Sequence, residues 1–269
     1  MACKRFKFPS YKKSNHELTK GVFSSYNDNV RKFINESKLV IQKSSLKDAL
    51  KVMNPTVPKL YGLIKIHKED FPIRPVVSFV ESPTYNVSRY MKDWFLTHTG
   101  FTPRYGLKNS FDLVEKLSNS HSLPPHSSKL ISFDIVGMFT NIDVELSTSY
   151  MCDILRECNV PADTISEFRG LVSMCLMTNI CQFRNETYQF PDGLPMGGPL
   201  SSLVADVFIN HMEHEIFTPG AHALSAFSTD IYQWLRYVDD IFCVWSDSES
   251  SLYKNLDSQS KRAVIRSTF

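Results

Sequence analysis

The run Tyr237-Val238-Asp239-Asp240 places two adjacent carboxylates between two apolar segments, residues 233–238 and 241–245. Both flanks are rich in aromatic and β-branched residues, which predicts two strands of a hairpin with the acids at its turn. Two negative charges beside apolar strands repel each other unless something cationic sits there. A hard divalent cation, which takes oxygen ligands, answers that need. A plain hairpin turn also favours Asp, so the four residues alone leave both readings open. A third acid, Asp134, ends the apolar run Lys129-Leu130-Ile131-Ser132-Phe133-Asp134, which reads as another strand. Two neighbouring strands that end in carboxylates make a site for two divalent ions. Such ions, held ~3.5–4 Å apart, clamp the attacking and leaving oxygens of a phosphoryl transfer. An isolated Asp at a strand end serves equally as a turn or capping residue. Gly137 permits close approach of a ligand or backbone, and Phe139 stands five residues after Asp134, in reach of a sugar.

Two further segments carry suitable groups. Asp192-Gly193-Leu194-Pro195-Met196-Gly197-Gly198-Pro199 is a Gly/Pro-rich loop that opens a helix. Its small residues allow a base pair to come close, and a helix N-terminus favours anions. Most loops of this kind are only junctions. The runs 60–68 and 71–78 predict a hairpin or two adjoining strands, with Lys65, Lys68 and Arg74 on the arms. Arg forks onto phosphate oxygens and Lys acts as a point charge, so Lys65 and Arg74 suit a triphosphate. Ordinary surface charge is their other reading.

The elements that must position these groups follow from periodicity. Residues 1–28 are polar and basic and are expected to be irregular. Apolar positions from Val30 to Met53 recur at helical spacing, and Asn54-Pro55 stops that helix. Helices are expected over 84–96, 111–117 and 165–177, with a Ser/Pro/His loop over 118–128. Residues 181–184 and 187–190 bracket Asn185-Glu186 as a hairpin. Leu200, Leu203, Val204, Val207, Phe208, Met212 and Ile216 form one apolar stripe of a helix that ends near Phe217. On it, Asp206 reads as a polar-face residue, and His211-Met212-Glu213-His214-Glu215 as a solvated helix end.

The net charge of +2 hides an asymmetry: residues 1–68 hold 15 Lys/Arg against 4 Asp/Glu. A basic leading segment on an acidic body suits a polyanionic partner, although a solubilising tail has the same composition. The six cysteines show no zinc-type spacing and read as buried free thiols. The first residues lack the apolar core of a signal peptide. No apolar run reaches the roughly 18 residues of a membrane helix. An intracellular, reducing compartment is therefore expected, and no targeting signal stands out.

Six runs in order resemble one family. They are residues 61–68 (YGLIKIHK), 74–78 (RPVVS), 82–86 (SPTYN), 132–142 (SFDIVGMFTNI), 192–201 (DGLPMGGPLS) and 234–240 (WLRYVDD). Together they resemble the reverse transcriptase domain of Penelope-like retroelements, relatives of telomerase catalytic subunits. The resemblance implies an α+β right-hand polymerase fold, with fingers and an antiparallel palm sheet over 58–247. A basic, partly helical segment over 1–57 and a polar, disordered tail over 248–269 flank it. It implies an RNA-directed DNA polymerase that adds deoxynucleotides to a primer 3′ end. Asp134, Asp239 and Asp240 become the catalytic acids, holding two Mg2+ or Mn2+ ions with the Ile135 carbonyl. Lys65, Arg74, Phe139, Met196 and Gly197 become the deoxynucleoside triphosphate site, Phe139 as the gate against a ribose 2′-hydroxyl. The implied partners are an RNA template, a DNA primer and deoxynucleoside triphosphates, with no membrane. A nuclear location is implied, and oligomeric state has no sequence signal.

Three positions depart from the pattern: Gly198 where the family more often has Ser, Ile64 for Pro, and Asp143 for Pro. Only 29 residues follow Asp240, so the primer-gripping hairpin, thumb and nuclease of the family are expected to be missing. A palm edge is then expected to be bare and polymerisation by this chain weak or absent. The alternative is a truncated remnant that only binds nucleic acid. A metal-dependent nuclease shares the acids but leaves the 193–199 loop unexplained.

Overall fold

The computed structural model describes residues 12–13, 16–66, 68–119, 128–177, 180–190, 193–218, 228–246 and 265–268. The helices are α1 (His16–Glu36), α2 (Ser44–Leu50), α3 (Tyr85–Thr99), α4 (Ser110–Ser118), α5 (Met138–Asn141), α6 (Val144–Glu157), α7 (Ala162–Leu176) and α8 (Ser201–Phe217). The strands are β1 (Lys12–Lys13), β2 (Lys59–Ile64), β3 (Ile73–Ser78), β4 (Lys129–Ile135), β5 (Ile180–Phe183), β6 (Glu186–Gln189), β7 (Ile231–Tyr237), β8 (Asp240–Trp245) and β9 (Ile265–Thr268). The chain divides into two compact units. One comprises residues 1–101 and 139–205, the other residues 102–138 and 206–269.

The first unit packs helices beside a mixed sheet of order β1-β6-β5-β2-β3. Its helices form where apolar residues recur on one face. On α3, Val87, Met91, Trp94 and Phe95 are buried, and Gly100 ends the helix in the left-handed region. On α7, Ile165, Phe168, Leu171, Val172 and Cys175 are buried, and Phe168 stacks on Trp94 at 5.2 Å between centroids. Each such side chain contributes roughly 1.5–3 kcal/mol by leaving water. β2 and β3 pair antiparallel from Lys59↔Ser78 to Ile64↔Ile73, as expected for the basic hairpin.

Several expectations need correction here. Residues 16–28 are helical, not irregular. Val30 and Ile34 are buried on α1, and Tyr26 donates to Thr84 Oγ1 at 3.0 Å. The helix expected over 30–53 breaks between Glu36 and Ser44, where the amides of Lys38, Leu39 and Val40 turn to the Glu167 carboxylate. Helix α6 was not foreseen. Asp143, one of the three positions that depart from the resembled pattern, is its N-cap and accepts from Leu146 N at 2.9 Å. Cys158 is exposed, whereas Cys152, Cys175, Cys181 and Cys243 are buried. The expected loop over 118–128 falls largely outside the described residues.

The second unit is built on an antiparallel sheet of order β7-β8-β4-β9. Alternation puts Ile131, Phe133, Trp234, Ile241, Cys243 and Trp245 on the covered face. Phe217 at the end of α8 packs edge-on against Trp234, and Tyr105 packs on Phe217. Residues 265–268 correct the expectation that the tail supplies no strand. They pair with β4 from Ser132↔Thr268 to Ile135↔Ile265, so the β4 edge is not bare. The β7 edge is also paired: Arg236 N donates to Tyr105 O at 2.8 Å, and Leu107 N donates to Arg236 O at 2.7 Å. Among the described residues, no helix is long and apolar enough to cross a membrane.

Candidate active site

The register of the second sheet brings the acids together. Asp134 and Asp240 are direct cross-strand partners of β4 and β8, and directly opposed residues share a face. Near the acids that face carries the exposed Ser132, Leu130 and Tyr237, and farther along it the buried Leu235 and Val244. Tyr237 pairs with Asp240, so Val238 and Asp239 alone form the turn. Asp240 is therefore the first residue of β8, not a turn residue as its sequence position suggests. Ile135 N donates to Asp239 O at 2.9 Å, which ties the turn to the end of β4. All four residues implied as metal ligands, Asp134, Ile135, Asp239 and Asp240, thus lie at one corner of one sheet.

Facing carboxylates bear directly on whether a cation fits this corner. Like charges directly opposite each other on a sheet are destabilising, and a cation between them removes the conflict. Among the described residues, no group of three or more His, Cys, Asp or Glu closes around a metal position. Mg2+ is ordinarily held by one or two carboxylates and completes its shell from water and substrate phosphates. The registered pair Asp134 and Asp240 supplies two carboxylates of that kind.

The turn itself is strained. Val238 has φ +56, a conformation that a β-branched residue rarely adopts. Two-residue hairpins commonly place glycine there. Such strain costs about 1–3 kcal/mol and persists where surroundings impose it. Beneath the turn lies Arg236, 1% exposed. Its Nε donates to Glu213 Oε1 at 2.9 Å, and its Nη1 donates to Asp206 Oδ1 at 3.1 Å and to Val238 O at 3.2 Å. Trp234 Nε1 also donates to Glu213 Oε1, at 3.1 Å. Burial alone would lower the Arg236 pKa. Glu213 and then Asp206 more than offset it, and the guanidinium lies above the usual arginine value. Glu213 is 2% exposed, so the solvated helix end expected there is corrected to a buried ion pair.

Sequence reasoning missed this network, although its pattern was present. Asp206 and Glu213 are seven apart on α8, and Trp234 and Arg236 two apart on β7. Those are same-face spacings for a helix and a strand.

The groups expected to bind a triphosphate lie in the first unit and share one organising loop. Leu194 N donates to Phe139 O at 2.6 Å, and Val77 N donates to Met196 O at 2.8 Å. Residues 193–198 therefore link Phe139 to β3. Two glycines make this possible. A Cβ on Gly193 would lie 2.6 Å from Phe139 O, and one on Gly197 2.6 Å from Val77 O. Both have positive φ, +96 and +106. Both glycines are thus required by a close approach to the chain's own backbone. On the β2–β3 hairpin, Leu63 pairs with Arg74, and Lys65 N donates to Pro72 O at 2.9 Å. Alternation then places Lys65 and Arg74 on one face. Arg74 is exposed, and Lys65, Phe139 and Met196 are half-buried.

No protein-family model and no curated protein sequence matches the chain. Solved structures do. One is an apo telomerase from Candida tropicalis truncated from its C-terminal domain, at 13% identity and TM-score 0.53, covering 80% of this chain and 50% of that one. A telomerase from Candida albicans in complex with a fragment of telomeric RNA matches at 12% identity and TM-score 0.53, covering 94% and 47%. The RNA-dependent RNA polymerase of BmCPV in its quiescent state matches at 12% identity and TM-score 0.53, covering 95% and 26%. Identity this low shows a shared fold. The chain has a polymerase-like α+β fold with an antiparallel sheet. It spans about half the length of those telomerase chains.

Proposed function

We propose that this chain is the fingers and palm part, over residues 58–247, of an RNA-directed DNA polymerase of the Penelope-like kind, from a mobile element. The observation that carries the reading is the register of Asp134 with Asp240, beside Asp239, at one corner of an antiparallel sheet. The fold shared with telomerases and a viral RNA polymerase supports it. The reaction joins a primer 3′-oxygen to the α-phosphorus of a deoxynucleoside triphosphate. The bond to the bridging oxygen breaks, pyrophosphate leaves, and the hydroxyl proton passes to solvent.

Asp134, Asp239, Asp240 and the Ile135 carbonyl would hold two Mg2+ or Mn2+ ions. Bound there, such ions would supply a lower pKa for the attacking hydroxyl and would offset charge on the leaving group. Lys65 and Arg74 neutralise phosphate oxygens, Arg74 by a two-pronged contact. Phe139 excludes a ribose 2′-hydroxyl, and Met196 and Gly197 support the templating pair. An RNA template and a DNA primer are the macromolecular partners, and the nucleus is the proposed location.

Primer extension on an RNA template with Mn2+ tests this reading, beside an Asp239→Asn variant whose RNA affinity is measured in parallel. Incorporation by the native chain, lost in the variant at unchanged RNA affinity, is the expected result. A second reading, a remnant that only binds nucleic acid, draws on the 15 Lys/Arg against 4 Asp/Glu over residues 1–68. RNA bound with steep salt dependence, and no incorporation by either protein, would favour it.

A further inference from the structure

We propose that Arg236 is a positioning residue that sets the Val238–Asp239 turn and so aims the acids, an inference that rests on the polymerase reading above. Its side chain lies on the covered face of the sheet with Trp234 and Ile241, whereas Asp240 lies on the other face. It touches no proposed substrate or metal. Its reach is nonetheless directed at the turn, since Nη1 donates to the Val238 carbonyl at 3.2 Å. That carbonyl belongs to the peptide joining Val238 to Asp239. Holding it fixes the plane of that peptide, and with it the direction of the Asp239 backbone. The Asp239 carbonyl is held in turn by Ile135 N at 2.9 Å. The turn is therefore gripped on both sides of Asp239.

The strain in the turn shows why a grip is needed. Val238 at φ +56 would relax toward negative φ if released. Relaxation would turn the 238–239 peptide and carry Asp239 away from the partnered Asp134 and Asp240. Arginine suits the task because its donors are spread over a rigid fork. Nε and Nη2 engage Glu213, at 2.9 and 3.4 Å, while Nη1 is left for Asp206 and Val238. A lysine ammonium would keep the charge beside Glu213 but cannot span both places. Glu213, further fixed by Trp234 Nε1, anchors the fork to α8. The residues thus form a line from a buried helix face to the metal-side turn.

The test uses the full chain with Arg236→Lys, Val238→Gly and the double variant. Glycine accepts positive φ without strain, so it should relieve the need for the grip. Two quantities are read: amide hydrogen exchange at Ile135 without metal, and Mn2+ affinity by electron paramagnetic resonance. Arg236→Lys should speed Ile135 exchange and weaken Mn2+ binding, each about tenfold, as expected for one lost charge-assisted bond. Val238→Gly in that background should restore Mn2+ affinity several-fold. Wild-type values in Arg236→Lys overturn the inference. So does a uniform rise in exchange across the protein that Val238→Gly fails to correct. Should Arg236→Lys not fold, recovery of folding in the double variant supports the grip, and continued failure overturns it. If the native chain binds no Mn2+ while Ile135 exchange still responds, the polymerase reading fails and the grip stands. If it binds Mn2+ and Arg236→Lys is indistinguishable, the grip fails and the reading stands.

Discussion

Replacing Glu167 by Gln should destabilise the first unit at neutral pH and lose that effect in acid. Glu167 on α7 accepts from Ser37 Oγ at 2.5 Å, Lys38 N at 2.9 Å, Leu39 N at 3.1 Å and Val40 N at 2.8 Å. These donors occupy the irregular stretch between α1 and α2, where no helix or sheet serves them. Ser37 Oγ in turn accepts from Ile41 N at 2.8 Å. Hydrogen bonds to a charged group contribute about 1.5–3 kcal/mol each and are not additive. Gln keeps the shape and one acceptor oxygen but presents a donor where the second oxygen was. A loss of about 2 kcal/mol is expected, or about 5 °C in melting temperature for a chain of this size. Burial raises the Glu167 pKa, but the bonds from Ser37, Lys38, Val40 and Leu39 outweigh it and hold it below the ordinary glutamate value. A depressed folded-state pKa gives stability that is fully present above the unfolded pKa. It is lost as pH falls through the folded one. Urea unfolding of both proteins should therefore show a gap near pH 7 that closes as pH drops below about 4. Equal stability at neutral pH, or a gap that persists in acid, would refute the clamp.

Gly193→Ala should cost about 3 kcal/mol or more by thermal unfolding, because positive φ and a backbone collision act together. The collision is with Phe139 O, 2.6 Å from the added Cβ, and a variant within 0.5 kcal/mol of native would contradict it. Thiol labelling under native conditions, read by peptide mapping, should modify the exposed Cys158 and spare Cys152, Cys175, Cys181 and Cys243. Burial pushes the thiols of Cys175, Cys181 and Cys243 up to about 12, so raising the pH to about 9 should leave them unreactive. Rapid labelling of Cys243 in the folded protein would show the second core to be open.

The strongly patterned elements were legible in the sequence. The apolar runs 129–134, 233–238 and 241–245 read as strands and lie on β4, β7 and β8, and the helix expected over 84–96 is α3. Register was not legible. Nothing local states that Asp134 faces Asp240, because pairing is decided by which face each strand buries. The network at Arg236 stayed hidden for a related reason. Its partners lie 23 and 30 residues upstream, and a charge on an apolar strand reads as exposed until its partner is known. β9 is short and polar and borrows its order from β4. Asp143 departs from the resembled pattern because it caps α6, a local role that the pattern does not carry.

The proposed function requires Asp134, Asp239 and Asp240 to hold divalent metal at the corner of the β4–β8 sheet. Crystals of the chain soaked in Mn2+ and a deoxynucleoside triphosphate, with anomalous diffraction measured at the manganese edge, test it directly. Anomalous peaks bounded by those three carboxylates and the Ile135 carbonyl are expected, and none there in Asp239→Asn. Ordered carboxylates with no peak between them, or peaks that persist unchanged in the variant, would contradict it.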